Sequence, residues 1–184
     1  MKQSFTDTGI VLKSFDFAEA DKLVGILSHH HGFQEFVAKG ARRLNSKKAP
    51  HLDLFNKIRF QAGRGNSPQL LIQADTEDCF SSLKSSLTKV RVALSIAEIL
   101  TSLLPHEEED RELFLSLTNF YSSLDRHIQP NEIAGLTREF SLYLLRHLGY
   151  PQPKIVASES LSVYFENLIS RKLISHELKS TGVR

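Results

Sequence analysis

Three clusters in this chain carry side chains that could do chemistry: consecutive histidines, a run of acids and a run of bases. His29, His30 and His31 offer imidazoles, the commonest transition-metal ligands. On an extended strand, consecutive side chains point to alternate faces, so at most two of the three could share one ion. No cysteine or HxxxH partner stands at ligand spacing, and Gly32 marks the end of the strand. Exposed turn histidines are therefore expected. His106-Glu107-Glu108-Glu109-Asp110 precedes a helical pattern, where negative charge favours the helix dipole. Two-metal hydrolysis needs carboxylates converging from separate elements rather than neighbours on one loop. Arg64-Gly65, within AGRGNSP, lacks both the GK[ST] ending and the following helix of a phosphate loop. Ser81, Ser82, Ser85 and Ser86 lie outside any GxSxG elbow. The expectation is a chain with no catalytic residues, no metal and no cofactor.

The bases give the stronger signal. Net charge is only +2 over 184 residues. Yet Lys39, Arg42, Arg43, Lys47, Lys48, Lys57, Arg59 and Arg64 face a single acid, Asp53, in the window 39–64, giving it +7 and leaving the rest at −5. Such segregation predicts a polyanionic partner. The stretch from Lys39 to Lys48 ends one strand pattern and forms the next connection. Its flexible cations can neutralise phosphates whatever the base sequence. Arg42 and Arg43 can each hold a phosphate bidentately, and Gly40 permits close backbone approach. Lys57, Arg59 and Arg64 extend the set by charge and proximity. Phe33 and Phe36 are candidates for base stacking, with burial in a core as the alternative.

The elements that must position these groups change period once. Thr8 to Phe15, Lys22 to Ser28, Phe33 to Lys39, Asn56 to Ala62 and Gln69 to Asp75 read as strands, punctuated by Gly32, Gly40, Gly63 and Gly65. The fourth alternates most clearly, with Ile58, Phe60 and Ala62 on one face and Lys57, Arg59 and Gln61 on the other. Five short strands in about 70 residues suit a small closed barrel, of OB or SH3-like type.

After Asp78 helical spacing takes over. Leu83, Leu87, Val90, Leu94 and Ala97 form one stripe ending near Leu104-Pro105. A second helix begins near Asp110, with Leu113, Phe114, Leu117, Phe120, Tyr121 and Leu124 inward. A third follows Pro130 with Asn131 as its N-cap, and ends at Gly149. A last spans about Ser160 to Glu177. The fold class expected is α+β, with a barrel over 1–78 and a helical domain over 79–184. No apolar run approaches the ~18 residues that span a bilayer, and the N-terminus lacks an apolar signal region. With Cys79 the only cysteine, a cytoplasmic protein without membrane association is expected.

The ordered motifs resemble the RecO family. Thr8-Gly9-Ile10-Val11-Leu12-Lys13-Ser14 and Asp16-Phe17-Ala18-Glu19-Ala20-Asp21-Lys22-Leu23-Val24 are similar to its opening strand and aromatic turn. Ala38-Lys39-Gly40-Ala41-Arg42-Arg43 resembles its AKGAR[RK] signature. Leu54-Phe55, Gly63-Arg64-Gly65, the stretch Leu70 to Asp75, Leu103-Leu104-Pro105, Glu112-Leu113-Phe114 and Leu145 to Tyr150 continue the match in order. A weaker likeness runs from Ile169 to Ser180.

The resemblance implies an OB-fold domain that binds single- and double-stranded DNA, followed by a helical domain. It implies annealing of complementary strands and loading of RecA onto DNA coated by single-strand-binding protein. The implied partners are RecR, the acidic tail of single-strand-binding protein, RecF and RecA. DNA contact carries over by motif only to Lys39, Arg42 and Arg43. The chain departs from the family after Tyr150, where members often carry four zinc-binding cysteines. None is present here, which excludes that zinc site. The competing expectation is a scaffold for RecR that has lost DNA binding.

Overall fold

A computed structural model describes residues 4–63, 68–126, 129–152, 158–170 and 173. The chain divides into two compact units: residues 1–80 with 104–118, and residues 81–103 with 119–184.

The first unit is built on five strands: β1 (Ser4–Phe17), β2 (Asp21–Ser28), β3 (Gly32–Ala38), β4 (Lys57–Gly63) and β5 (Gln69–Asp78). They close as β1-β2-β3-β5-β4, with β1 returning to β4. β1 achieves this because it is long enough to serve two neighbours. Its first half pairs with β4 from Ser4 to Ile10, and its second with β2 from Gly9 to Phe17. The register shifts between Val11 and Lys13, a bulge of the kind that bends a strand around a barrel. β3 and β5 meet in parallel at Phe36–Gln69 and Val37–Leu70. This order and closure are those of an OB-like ring, which settles the barrel type that periodicity left open.

Period-two alternation does the sorting. Ile58, Phe60 and Ala62 are buried on β4, whereas Lys57, Arg59 and Gln61 are not. They join Val11, Val24, Ile26, Phe36, Ala38 and Leu71 in the core, where the Phe36 and Phe60 rings meet edge-on at 5.3 Å. Each such side chain contributes about 1.5–3 kcal/mol by leaving water. Ala41 and Leu52, from the connection between β3 and β4, are also in this core. The basic connection is thus anchored from inside the barrel at both ends.

Segment 104–118 belongs to the same unit and lies along the β2–β3 turn. The Glu107 N–H donates to the Phe33 carbonyl at 3.0 Å, and the Phe33 ring lies 5.3 Å from that of His106. Gly32 has φ +65°, and a Cβ there would fall 1.9 Å from the Glu108 carbonyl oxygen. Only glycine fits both conditions.

The helices are α1 (Ser81–Ser85), α2 (Leu87–Leu103), α3 (Arg111–Asp125), α4 (Pro130–His147) and α5 (Ser158–Leu168). The single stripe expected from Leu83 to Ala97 is broken at Ser86, and α2 runs in its own phase. It buries Ala93, Ile96, Ala97 and Leu100, while Leu87 is 61% exposed. α3 begins where expected, because the Asp110 carboxylate accepts from the Leu113 N–H at 2.9 Å. The N-cap of α4 is Gln129 rather than Asn131. Pro130 takes the first helical position, where a missing N–H costs nothing, and Glu132 accepts from the Gln129 N–H at 2.6 Å. α5 ends at Leu168, and most of the remaining span expected for it lies outside the described residues.

Within the second unit, Phe120 stacks on Phe140 at 4.3 Å, and the Tyr121 hydroxyl donates to the Ala93 carbonyl. Buried Lys89 donates to Ser82 Oγ at 3.1 Å and to the Arg126 carbonyl at 2.7 Å, tying helix ends together. No described helix is long and apolar enough to cross a membrane.

Candidate nucleic-acid interface

The connection between β3 and β4 folds back over the outer face of β5 and encloses an open groove of about 1000 Å³. Its walls carry Lys39, Arg43, Lys47 and Lys48 with His51 from the connection, and Ile72, Gln73 and Asp75 from β5. Gly40, at φ +67°, makes the turn that starts it and donates its N–H to Asp21 at 2.7 Å. A short 3₁₀ turn, Ala49–His51, ends it. There Asn56 donates to the carbonyls of Pro50 and His51 at 3.3 and 3.1 Å. His51 Nδ1 accepts the Thr76 N–H at 3.1 Å, pinning the end of the connection to β5.

The eight expected contact residues separate into distinct environments. Among the described residues, Lys39, Arg43 and Lys47 are exposed and make no side-chain hydrogen bond or ion pair, so their charges are available to a ligand. Lys48 is partly buried and donates to the Leu71 carbonyl at 3.2 Å. Loss of water lowers its pKa from the usual lysine value, with the Asp21 charge opposing the shift. Arg42 turns away from the groove. Its guanidinium pairs with Asp16 at 3.2 Å and donates to the carbonyls of Ala18 and Glu19, clasping the β1–β2 turn. Lys57 pairs with Glu77 at 3.2 Å. Arg59 is exposed on β4, in register with Asp75, and makes no side-chain bond among the described residues. Arg64 lies outside the described residues.

The stacking candidates are not available. Phe36 is fully buried in the barrel core and Phe33 is 2% exposed under segment 104–118. A period-two strand places alternate aromatics inside, and a covering segment buries the outward one. The exposed aromatics of the barrel are Phe15 and Phe17 on β1, at 54% and 45%. Phe15 closes the first strand pattern and Phe17 lies in the aromatic turn after it, and spacing alone marks neither as exposed.

The histidines are more organised than exposed turn residues would be. Asp7, with its side chain 1% exposed, accepts from His30 Nδ1 and His31 Nδ1, each at 2.8 Å. It also accepts the backbone N–H groups of Thr8 and His30. Burial alone would raise this carboxyl's pKa. The hydrogen bonds from the two imidazoles and two amides outweigh it and hold the group below the usual carboxylate range. No spacing rule links Asp7 to residues 29–31, which only the hairpin brings together.

Comparison with known proteins agrees with the geometry. The family profile described as "Recombination protein O N terminal" matches residues 1–80. The chain is 32% identical over 152 residues to the "DNA repair protein RecO" of Symbiobacterium thermophilum, covering 81% of this chain and 58% of that protein. It is 32% identical over 142 residues to that of Roseiflexus sp., covering 77% and 48%. The relative from Gloeothece citriformis is 30% identical over 149 residues, covering 81% and 53%. The chain spans about half the length of the curated relatives it matches. An OB-like ring and a following helical region, matched in sequence across both, place this chain in the RecO family.

Proposed function

We propose that this chain is a non-catalytic recombination mediator acting in DNA repair in the bacterial cytoplasm and nucleoid. In this reading the barrel, residues 1–78, is the DNA-binding domain and residues 79–184 form a helical domain. The carrying observation is the groove, where Lys39, Arg43 and Lys47 converge with free charges and Lys48 backs them. The groove's lining includes no aromatic ring other than the His51 imidazole. Binding there is therefore phosphate-based and tolerant of sequence, which suits both single and double strands. Cations held along one wall screen the mutual repulsion of two phosphate backbones, so complementary strands can approach and pair. With RecR, the same hold on DNA helps place RecA on strands coated by single-strand-binding protein, whose tail and RecF complete the partner set. No step in this reading breaks or makes a covalent bond, and none calls for a cofactor.

Annealing of complementary oligonucleotides, followed by fluorescence, tests the reading. The protein should accelerate annealing at low salt and lose the effect as salt rises. Replacing Lys39, Arg43 and Lys47 together by alanine should abolish most of it. Annealing at the unassisted rate with the parent protein would overturn the proposal.

A further inference from the structure

The β2–β3 hairpin carries a second arrangement of charged and ligating groups, separate from the groove residues. His29, His30 and His31 form the turn, and Asp7 reaches them from β1. The carboxylate is buried and fully engaged, so it cannot itself be an open ligand. What it does is fix a tautomer. Because His30 Nδ1 donates to Asp7 Oδ1, the lone pair of that imidazole is on Nε2. His30 Nε2 lies 3.1 Å from His29 Nδ1, and the two rings are 4.2 Å apart. Two imidazole nitrogens bound at about 2.0–2.1 Å to one tetrahedral ion stand a little over 3 Å apart. Donor atoms of Asp7, His29 and His30 all fall within 4.8 Å of one another.

We propose that His29 Nδ1 and His30 Nε2 form a half-exposed site for a late transition-metal dication such as Zn²⁺. Asp7 orients His30 from behind and water completes the coordination shell. A carboxylate hydrogen-bonded to the far nitrogen of a ligating histidine is the usual support of such sites, fixing the ring and raising its basicity. His31 has a different task. It donates to the other oxygen of Asp7 and packs on Phe5 at 4.2 Å, bracing the carboxylate from the opposite side. The rule that no more than two of three consecutive histidines can share an ion is respected, although they lie in a turn rather than a strand. With imidazole nitrogens as its only protein donors, the site selects zinc, nickel or cobalt over the oxygen-preferring magnesium and calcium. Bound metal would bridge the two residues at the tip of a hairpin that β1 already holds through Asp7, and so stiffen that end of the barrel.

Calorimetric titration of the untagged chain with ZnCl₂, after chelator treatment and dialysis, tests this. One saturable equivalent is expected, with no comparable heat from MgCl₂. His29→Ala removes a ligand from a turn position without touching the Asp7 hydrogen bonds. Losing an orienting partner alone weakens metal sites about 10–100-fold, so loss of this ligand should weaken binding by at least about tenfold. His31→Ala removes the brace on Asp7 but no ligand, so it should weaken binding less than His29→Ala does. Absence of saturable binding at millimolar zinc would overturn the proposal. So would a His29→Ala chain that binds as tightly as the parent, or a His31→Ala chain that loses binding as fully as His29→Ala.

Discussion

A positive residue in a basic signature is not by position a ligand contact, and Arg42 and Arg43 show why. They are adjacent in sequence and equal in charge, and nothing in their spacing separates them. The fold does: Arg43 lines the groove, while Arg42 holds Asp16 and the carbonyls of Ala18 and Glu19. Arg43→Ala should therefore reduce the salt dependence of DNA binding by about one phosphate contact and leave thermal unfolding unchanged. Arg42→Ala should do the reverse, lowering the melting temperature with little change in salt dependence. Parallel melting curves and salt titrations of the two variants check this. Lys48 yields a pH prediction. Burial lowers its pKa, so its ammonium deprotonates before those of exposed lysines as pH rises toward about 10. A neutral amine does not attract phosphate. The affinity difference between the parent and Lys48→Gln should therefore shrink as pH rises over that range. Binding isotherms across the alkaline range measure it.

At the scale of elements, strands were the most legible part of this chain. Alternation in Lys57–Gly63 and the glycines around each run located all five within a few residues, because one buried face enforces period two. The helical stripe from Leu83 misled for a specific reason. A one-residue break at Ser86 leaves the 3.6-residue spacing plausible on both sides while resetting its phase, and no proline or glycine announces it. Phe33 was ambiguous for another reason. Its burial comes from residues 104–118, some seventy positions away, and local pattern carries no trace of that cover. The contact has a measurable consequence at Gly32. Alanine there must adopt a left-handed conformation and meet the Glu108 carbonyl, so Gly32→Ala should lose about 2–4 kcal/mol in chemical denaturation. The AKGAR[RK]-like signature reads at this scale as a hinge and an anchor. Gly40 turns the chain and Ala41 enters the core, which puts Lys39 and Arg43 on the same open wall.

For the molecule as a whole, net charge conceals the functional asymmetry. A total of +2 describes a nearly neutral protein, yet three cations without internal partners among the described residues, Lys39, Arg43 and Lys47, line one groove of the barrel. The strip and its sign are legible in the order of residues 39–64 alone. The fold showed which of its members the protein uses for its own cohesion, since Arg42 and Lys57 answer to Asp16 and Glu77. In the proposed reading, DNA is held by Lys39, Arg43 and Lys47 through phosphates. The most direct measurement is the slope of log affinity against log salt for duplex DNA, in the parent and in the variant with those three residues changed to alanine. Each phosphate contact contributes about 0.9 to that slope on B-form DNA, so the variant's slope should be shallower by roughly 2–3. A variant with the parent's slope and affinity would mean that DNA is not held by these three residues.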